Sequence, residues 1–307
     1  MKTNIYLFII ALMIGATSCN NGSSSGDLNT SVDSLMNESA NANNAKLSEE
    51  VIDQIIETFP SPLELTSILS TSGAEFNSDY LNSSDNMDRF ESSAQKAFNL
   101  GVYGADLGYT NFFEKPTQAL GILSAVRDLS NDLKVGQFFD FGTMKRLAEN
   151  KNNLDSLMYI STRGFQEMDD YLTSNGRGEI SLLMLYGGWL EGLYLASESC
   201  RNTPEVSQEL IDQIGEQKIV VDNLLLLIEA YKNSPSITPI SQDLESLKSI
   251  YDKVTISFTY AEPTRKVVNG MLVLEDNSRS EIKVEPAVLV EIMKTVSLIR
   301  NKKVMLS

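Results

Sequence analysis

Between about residues 86 and 254 the apolar side chains recur every three or four positions, and this period constrains the fold more than any other feature. Such spacing places one greasy stripe on each successive helix, and the stripes must be buried against one another. An all-α fold follows, either a helical bundle or an array of paired helices. Pro116 predicts a helix start and Asn175-Gly176 a helix end. The spacing predicts helices over about 86–113, 116–135, 141–172, 179–199, 204–232 and 241–254. Ser48 is placed as the cap of an earlier one that Pro60 closes, and a short helix is expected after Pro62. Within 204–232 the run IVVDNLLLLI is apolar nearly all round, which predicts the centre of the core. The C-terminal part changes character. TISFTY and GMLVLEDNSRSEIKV are together rich in β-branched and aromatic residues, with a polar turn at Asp276–Arg279, and the second predicts a hairpin pairing MLVLE with EIKV over about 271–284. A last helix follows it.

Two stretches break the usual rules for helices: LGVYGADLGY (100–109) and YGGWLEGLYLA (186–196). Glycine costs about 1 kcal/mol against alanine inside a helix. Something must offset several of them. Gly104 with Gly108, and Gly188 with Gly192, lie four apart and suit a close approach of two backbones. The echo between GADLG and GWLEG suggests a duplicated helix pair. The second reading of the same stretches is a small-ligand pocket. Tyr103 and Asp106 share a face, as do Tyr186 and Trp189, and Glu191 follows close by. Aromatics with one or two carboxylates suit a small ligand. Asp106 and Glu191 are carboxylates in apolar surroundings and need partners. Arg127, Arg163 and Arg177 are the candidates, so a structural ion pair is the first reading and an acid/base pair the remote one.

The composition narrows the chemistry. The 307 residues contain no histidine, and the formal net charge is −16. Without histidine there is no Ser-His-Asp or Cys-His catalysis and no histidine-based metal site. No metal or cofactor is expected, and no enzymatic motif is present. Asp140-Phe141-Gly142 copies a kinase triplet, but no other kinase element accompanies it. So acidic a chain repels phosphate backbones, which argues against nucleic acid as a partner.

The N-terminus carries its own message. A run from Ile5 to Ile14 is too short to span a bilayer and fits a secretory signal. Ala16, Thr17 and Ser18 lead into Cys19, and the chain then turns at once into Asn, Gly and Ser. This seam resembles the lipobox of Bacteroidota lipoproteins, although Ala16 stands where Leu is usual. The resemblance implies a signal peptide over 1–18, a lipidated Cys19 holding the chain to a membrane, and a flexible tether over 19–46 that reaches on the order of 30 Å. The helical domain is then 47–307. No acidic cluster follows Cys19, which favours the periplasmic face of the outer membrane over the cell surface. Cys200 is left without an intramolecular partner and is expected to be buried. Asp33-Ser34-Leu35 and, more weakly, Asp155-Ser156-Leu157 look like Bacteroidota O-glycosylation acceptors. The span from about 90 to 235 resembles a family of helical Bacteroidota lipoproteins, through GVYGADLGY and GGWLEGLY. That resemblance implies the fold and the envelope setting, and it supplies no catalytic residues. The expectation is therefore an anchored, non-enzymatic binding or scaffold protein with a protein or small-molecule partner. A pocketed ligand receptor and a carboxylate hydrolase are the alternatives.

Overall fold

A computed structural model describes Phe59, Leu69 and residues 73–149, 153–261, 264–268, 271–275 and 279–305. All of them belong to one unit, Leu47–Ser307. The expectations for the signal peptide, Cys19, Ser34, the tether and the helices near Ser48 and Pro62 lie outside the described residues.

The chain enters through two short 3-10 turns, Ser78–Tyr80 and Ser84–Arg89. The first α-helix among the described residues, α1, is Ser93–Phe112, so the expected start near residue 86 falls seven residues early. The reason is local. Ser92 Oγ accepts from the Gln95 amide at 3.1 Å, while Gln95 Oε1 accepts from the Ser92 amide at 2.9 Å. This reciprocal cap satisfies two donors that a longer helix would not have freed.

Pro116–Asp132 forms α2 with proline in its first turn. The single helix expected over 141–172 is two, α3 (Phe141–Ala148) and α4 (Leu154–Ser174). The connecting stretch carries Asn150, Asn152 and Asn153, and asparagine competes for backbone hydrogen bonds in place of propagating a helix. Asp140, the first residue of the kinase-like triplet, caps α3 by accepting from the Thr143 amide at 3.0 Å.

Gly178–Asn202 forms α5. The next helix, α6, is Gln208–Ala230; Ser207 caps it, and Pro204 lies ahead of it instead of opening it. Thr238–Tyr251 forms α7, and Pro286–Met305 forms α8.

The centre of the core is not α6. Ile219 and Leu226 within its apolar run are 51% and 48% exposed, because α6 covers one flank and needs only one buried stripe. The centre is the pair α1 and α5, which pack on each other more extensively than any other two of the described elements. The two glycine-rich stretches therefore face each other. A Cβ on Gly101 would collide with the Met184 carbonyl oxygen and lie 2.7 Å from the Gly188 nitrogen. One on Gly187 would collide with the Phe98 carbonyl oxygen and lie 2.9 Å from its carbon. Close backbone packing is thus the use of Gly101 and Gly187, neither of which is among the four-apart glycines Gly104, Gly108, Gly188 and Gly192 to which the spacing pointed.

The C-terminal strands pair differently from expectation. MLVLE (β3, Met271–Glu275) pairs antiparallel with β2 (Thr264–Val268), while β4 (Arg279–Lys283) pairs with β1 (Thr255–Thr259). The inner pair is nested in the connection of the outer one. Val268 opposes Met271, so Asn269-Gly270 is a two-residue connection, the dipeptide most favoured there. The fold class stands: helices throughout, with a small β-ribbon near the C-terminus.

Candidate functional site

All five residues singled out in the glycine-rich helices are buried: Tyr103 and Asp106 on α1, and Tyr186, Trp189 and Glu191 on α5. They do not form one pocket, because α5 turns its two faces in different directions. Glu191 meets Tyr103 and Asp106 on one side. Tyr186 and Trp189 pack on the other, where Trp189 Nε1 donates to Gln217 Oε1 of α6 at 2.9 Å. The Tyr186 ring sits 5.8 Å from that of Phe98 and 6.1 Å from that of Trp189. These two are core aromatics.

The partner of Glu191 is none of the three arginines expected. Arg127 pairs with Asp128, Arg163 pairs with Glu167, and Arg177 donates to the Leu133 carbonyl. The partner is Arg300, brought in by α8. Its Nε donates to Glu191 Oε2 at 2.7 Å and its Nη2 to Oε1 at 2.6 Å, a two-pronged pair inside the core. Nη2 also donates to the Tyr80 carbonyl at 3.2 Å. The guanidinium carbon lies 4.3 Å above the Tyr194 ring. Burial lowers the affinity of Arg300 for its proton, but the charge and hydrogen bonds of Glu191 more than reverse that, and the group is held firmly cationic.

Asp106 completes the cluster. Its Oδ2 accepts from the Asn82 amide at 3.0 Å. Its Oδ1 is buried and accepts no hydrogen bond, and the Glu191 carboxylate is its charged neighbour. Burial, and then the Glu191 charge, push the acid well above its usual range; Arg300 and the Asn82 amide oppose this without overcoming it. Protonation of Asp106 relieves the repulsion between the two acids and supplies a hydroxyl able to donate to an acceptor such as Glu191. Tyr103 closes one side by donating to the Ser83 carbonyl at 2.8 Å, and burial raises its phenol above the ordinary range.

Sequence reasoning missed Arg300, Tyr80, Asn82 and Tyr194. A signal for Arg300 existed. It falls on the apolar stripe Leu289, Met293, Val296 and Val304 of the last helix, where a charge needs a buried partner.

Chemically, the cluster is closed. Both carboxyls are buried in the core and Glu191 is engaged by Arg300, whereas the pair in a glycoside hydrolase stands roughly 5–10 Å apart with substrate between. Surface clefts lie elsewhere, one bordered by Phe76, Tyr80, Asn202 and Pro204 and another by Gly192, Leu210 and Gln217. Among the described residues, no group of three His, Cys, Asp or Glu is placed to hold a metal, and no helix is long and apolar enough to cross a membrane. Cys200 is buried and free, with its thiol pushed up by burial.

These features define a helical protein knit around a buried acid–carboxylate–arginine cluster. The chain matches no protein-family model, no curated protein and no solved structure.

Proposed function

We propose that this chain is an envelope lipoprotein, held to the periplasmic face of the outer membrane through lipid on Cys19, and that its helical body is a non-enzymatic binding or scaffold module. The observation that carries the second half is the closure of Glu191 by Arg300 and the full burial of Asp106 against the Asn82 amide. The carboxylates that motivated a hydrolase and a ligand pocket are spent inside the core, so the work of the molecule falls to its surface. The abrupt change from apolar to Asn/Gly/Ser sequence at Cys19 supports the first half.

Two experiments test this reading. Cys19→Ala should release the protein from membranes or leave it unprocessed; a variant that fractionates and migrates as wild type overturns the anchor. For the binding role, cross-linking in intact cells followed by mass spectrometry of the purified lipoprotein should return a defined partner attached at exposed residues. Cross-links scattered over the surface without a recurrent partner overturn it.

A further inference from the structure

The β-ribbon presents a surface for which the buried cluster has no use. At its root Ile256 opposes Ile282 across β1 and β4. This end packs on α6, where a Cβ on Gly215 would lie 2.6 Å from Val284 Cγ2 and 2.8 Å from Ile282 Cγ2. Alternate residues of an extended chain share a face. Phe258, and Tyr260 just past the strand, therefore continue the face that Ile256 begins. Ile256 is half-buried, but Phe258 is 66% exposed and Tyr260 68%. The face that is core at its root runs out into solvent while remaining aromatic. Among the described residues no helix packs extensively on β2 or β3. An isolated two-stranded ribbon is marginal in water unless its apolar side is covered.

Charge indicates the cover. Residues 255–283 hold Arg265, Lys266, Arg279 and Lys283 against Glu262, Glu275, Asp276 and Glu281, so the ribbon is neutral on a chain of −16. A second copy would bring another strongly acidic body into contact and be repelled. A largely zwitterionic bilayer would not repel it, and Phe and Tyr rings suit the headgroup layer. We propose that the ribbon is a membrane-contacting arm, with Phe258 and Tyr260 seated in the interface of the phospholipid bilayer to which the chain is tethered. The proximity rests on the Cys19 anchor proposed above, since a tether of that length keeps the body within on the order of 30 Å of the lipid.

The test separates the arm from the anchor. The polypeptide from Asn20 onward has neither leader nor lipid and retains the whole unit Leu47–Ser307. It should float with vesicles of phosphatidylethanolamine containing a minority of phosphatidylglycerol. Phe258→Ser with Tyr260→Ser should lower the affinity about tenfold or more. Both rings are mostly in water, so circular dichroism and the urea midpoint should not move. A polypeptide that fails to bind these vesicles, or a double variant that binds as well as wild type, overturns the arm. So does a dimer in sedimentation equilibrium that the double variant dissociates, since a second copy is then the cover. If vesicle binding holds while the native chain carries no lipid on Cys19, the anchor falls and the arm stands.

Discussion

Asp106 is the residue on which acidity acts most directly. Its folded-state pKa lies well above the model-peptide value of 3.8. The folded protein therefore holds a proton that the unfolded chain has given up. The stabilisation from this group is fully present below about pH 4 and is lost as pH rises through the folded pKa, at a slope approaching ~1.4 kcal/mol per pH unit. Asp106→Asn keeps an acceptor for the Asn82 amide and a donor for Glu191 without a titrating proton. Urea unfolding across pH should show the variant matching wild type in acid and exceeding it at neutral and alkaline pH. Equal slopes for the two proteins would mean that Asp106 is not the protonated partner. Arg300 tests the other half of the cluster. Arg300→Met leaves Glu191 buried without a counter-charge and should cost about 3–5 kcal/mol in the same assay. Adding Glu191→Gln should recover part of that loss, and failure to recover any would argue that Arg300 acts by packing alone. Of this cluster, the need for a partner at Asp106 and Glu191 was legible in the sequence, because carboxylates in apolar helices cannot stay bare. The identity of the partner was not. Arg300 lies 109 residues from Glu191 along the chain, and helical periodicity carries no information about which distant helix will be adjacent.

At the scale of elements, the α1–α5 contact turns on glycine. Gly101→Ala and Gly187→Ala each push a methyl into opposing backbone, which cannot move aside as a side-chain tip can. Each should destabilise by about 1–3 kcal/mol or more. Gly121→Ala on α2 is the control, because nothing lies within 4 Å of the added methyl; it should stabilise by up to about 1 kcal/mol. If all three variants gain stability, the close-packing account of these helices fails. Trp189→Ala should cost about 3–5 kcal/mol, since the indole is core and its N–H is satisfied by Gln217. A near-neutral result would restore a cavity reading for that face.

The whole molecule depends on its last helix. Arg300 of α8 closes a cluster built by α1, α5 and the segment before α1, so the C-terminal residues complete a core that opens two hundred residues earlier. Ending the chain after Leu298 removes Ile299, Arg300 and Val304, all buried. Such a chain should lose cooperative urea unfolding and its near-ultraviolet dichroism while keeping much of its helical signal. A truncated chain that unfolds in a single sharp transition near the wild-type midpoint would show that the cluster is dispensable.

The class of the fold, most of its helices and a tight glycine-rich contact were legible in the sequence by itself, because apolar periodicity, caps and glycine cost all act within a few residues of each other; that Gly101 and Gly187 make the contact was not. Short-range signals also misled where they competed. Asparagines split the helix expected over 141–172, a serine–glutamine cap delayed α1, and the alternation in EIKV suggested MLVLE as its partner although Asn269-Gly270 joins MLVLE to TRKVV. The tertiary structure alone decided that α6 is a flank and α5 the centre, and that Asp106 and Glu191 meet while Trp189 faces away from them. It also decided that Arg300 closes the site. Those outcomes follow from which surfaces meet across long loops, where the loss of chain entropy is repaid only by contacts that the finished packing creates.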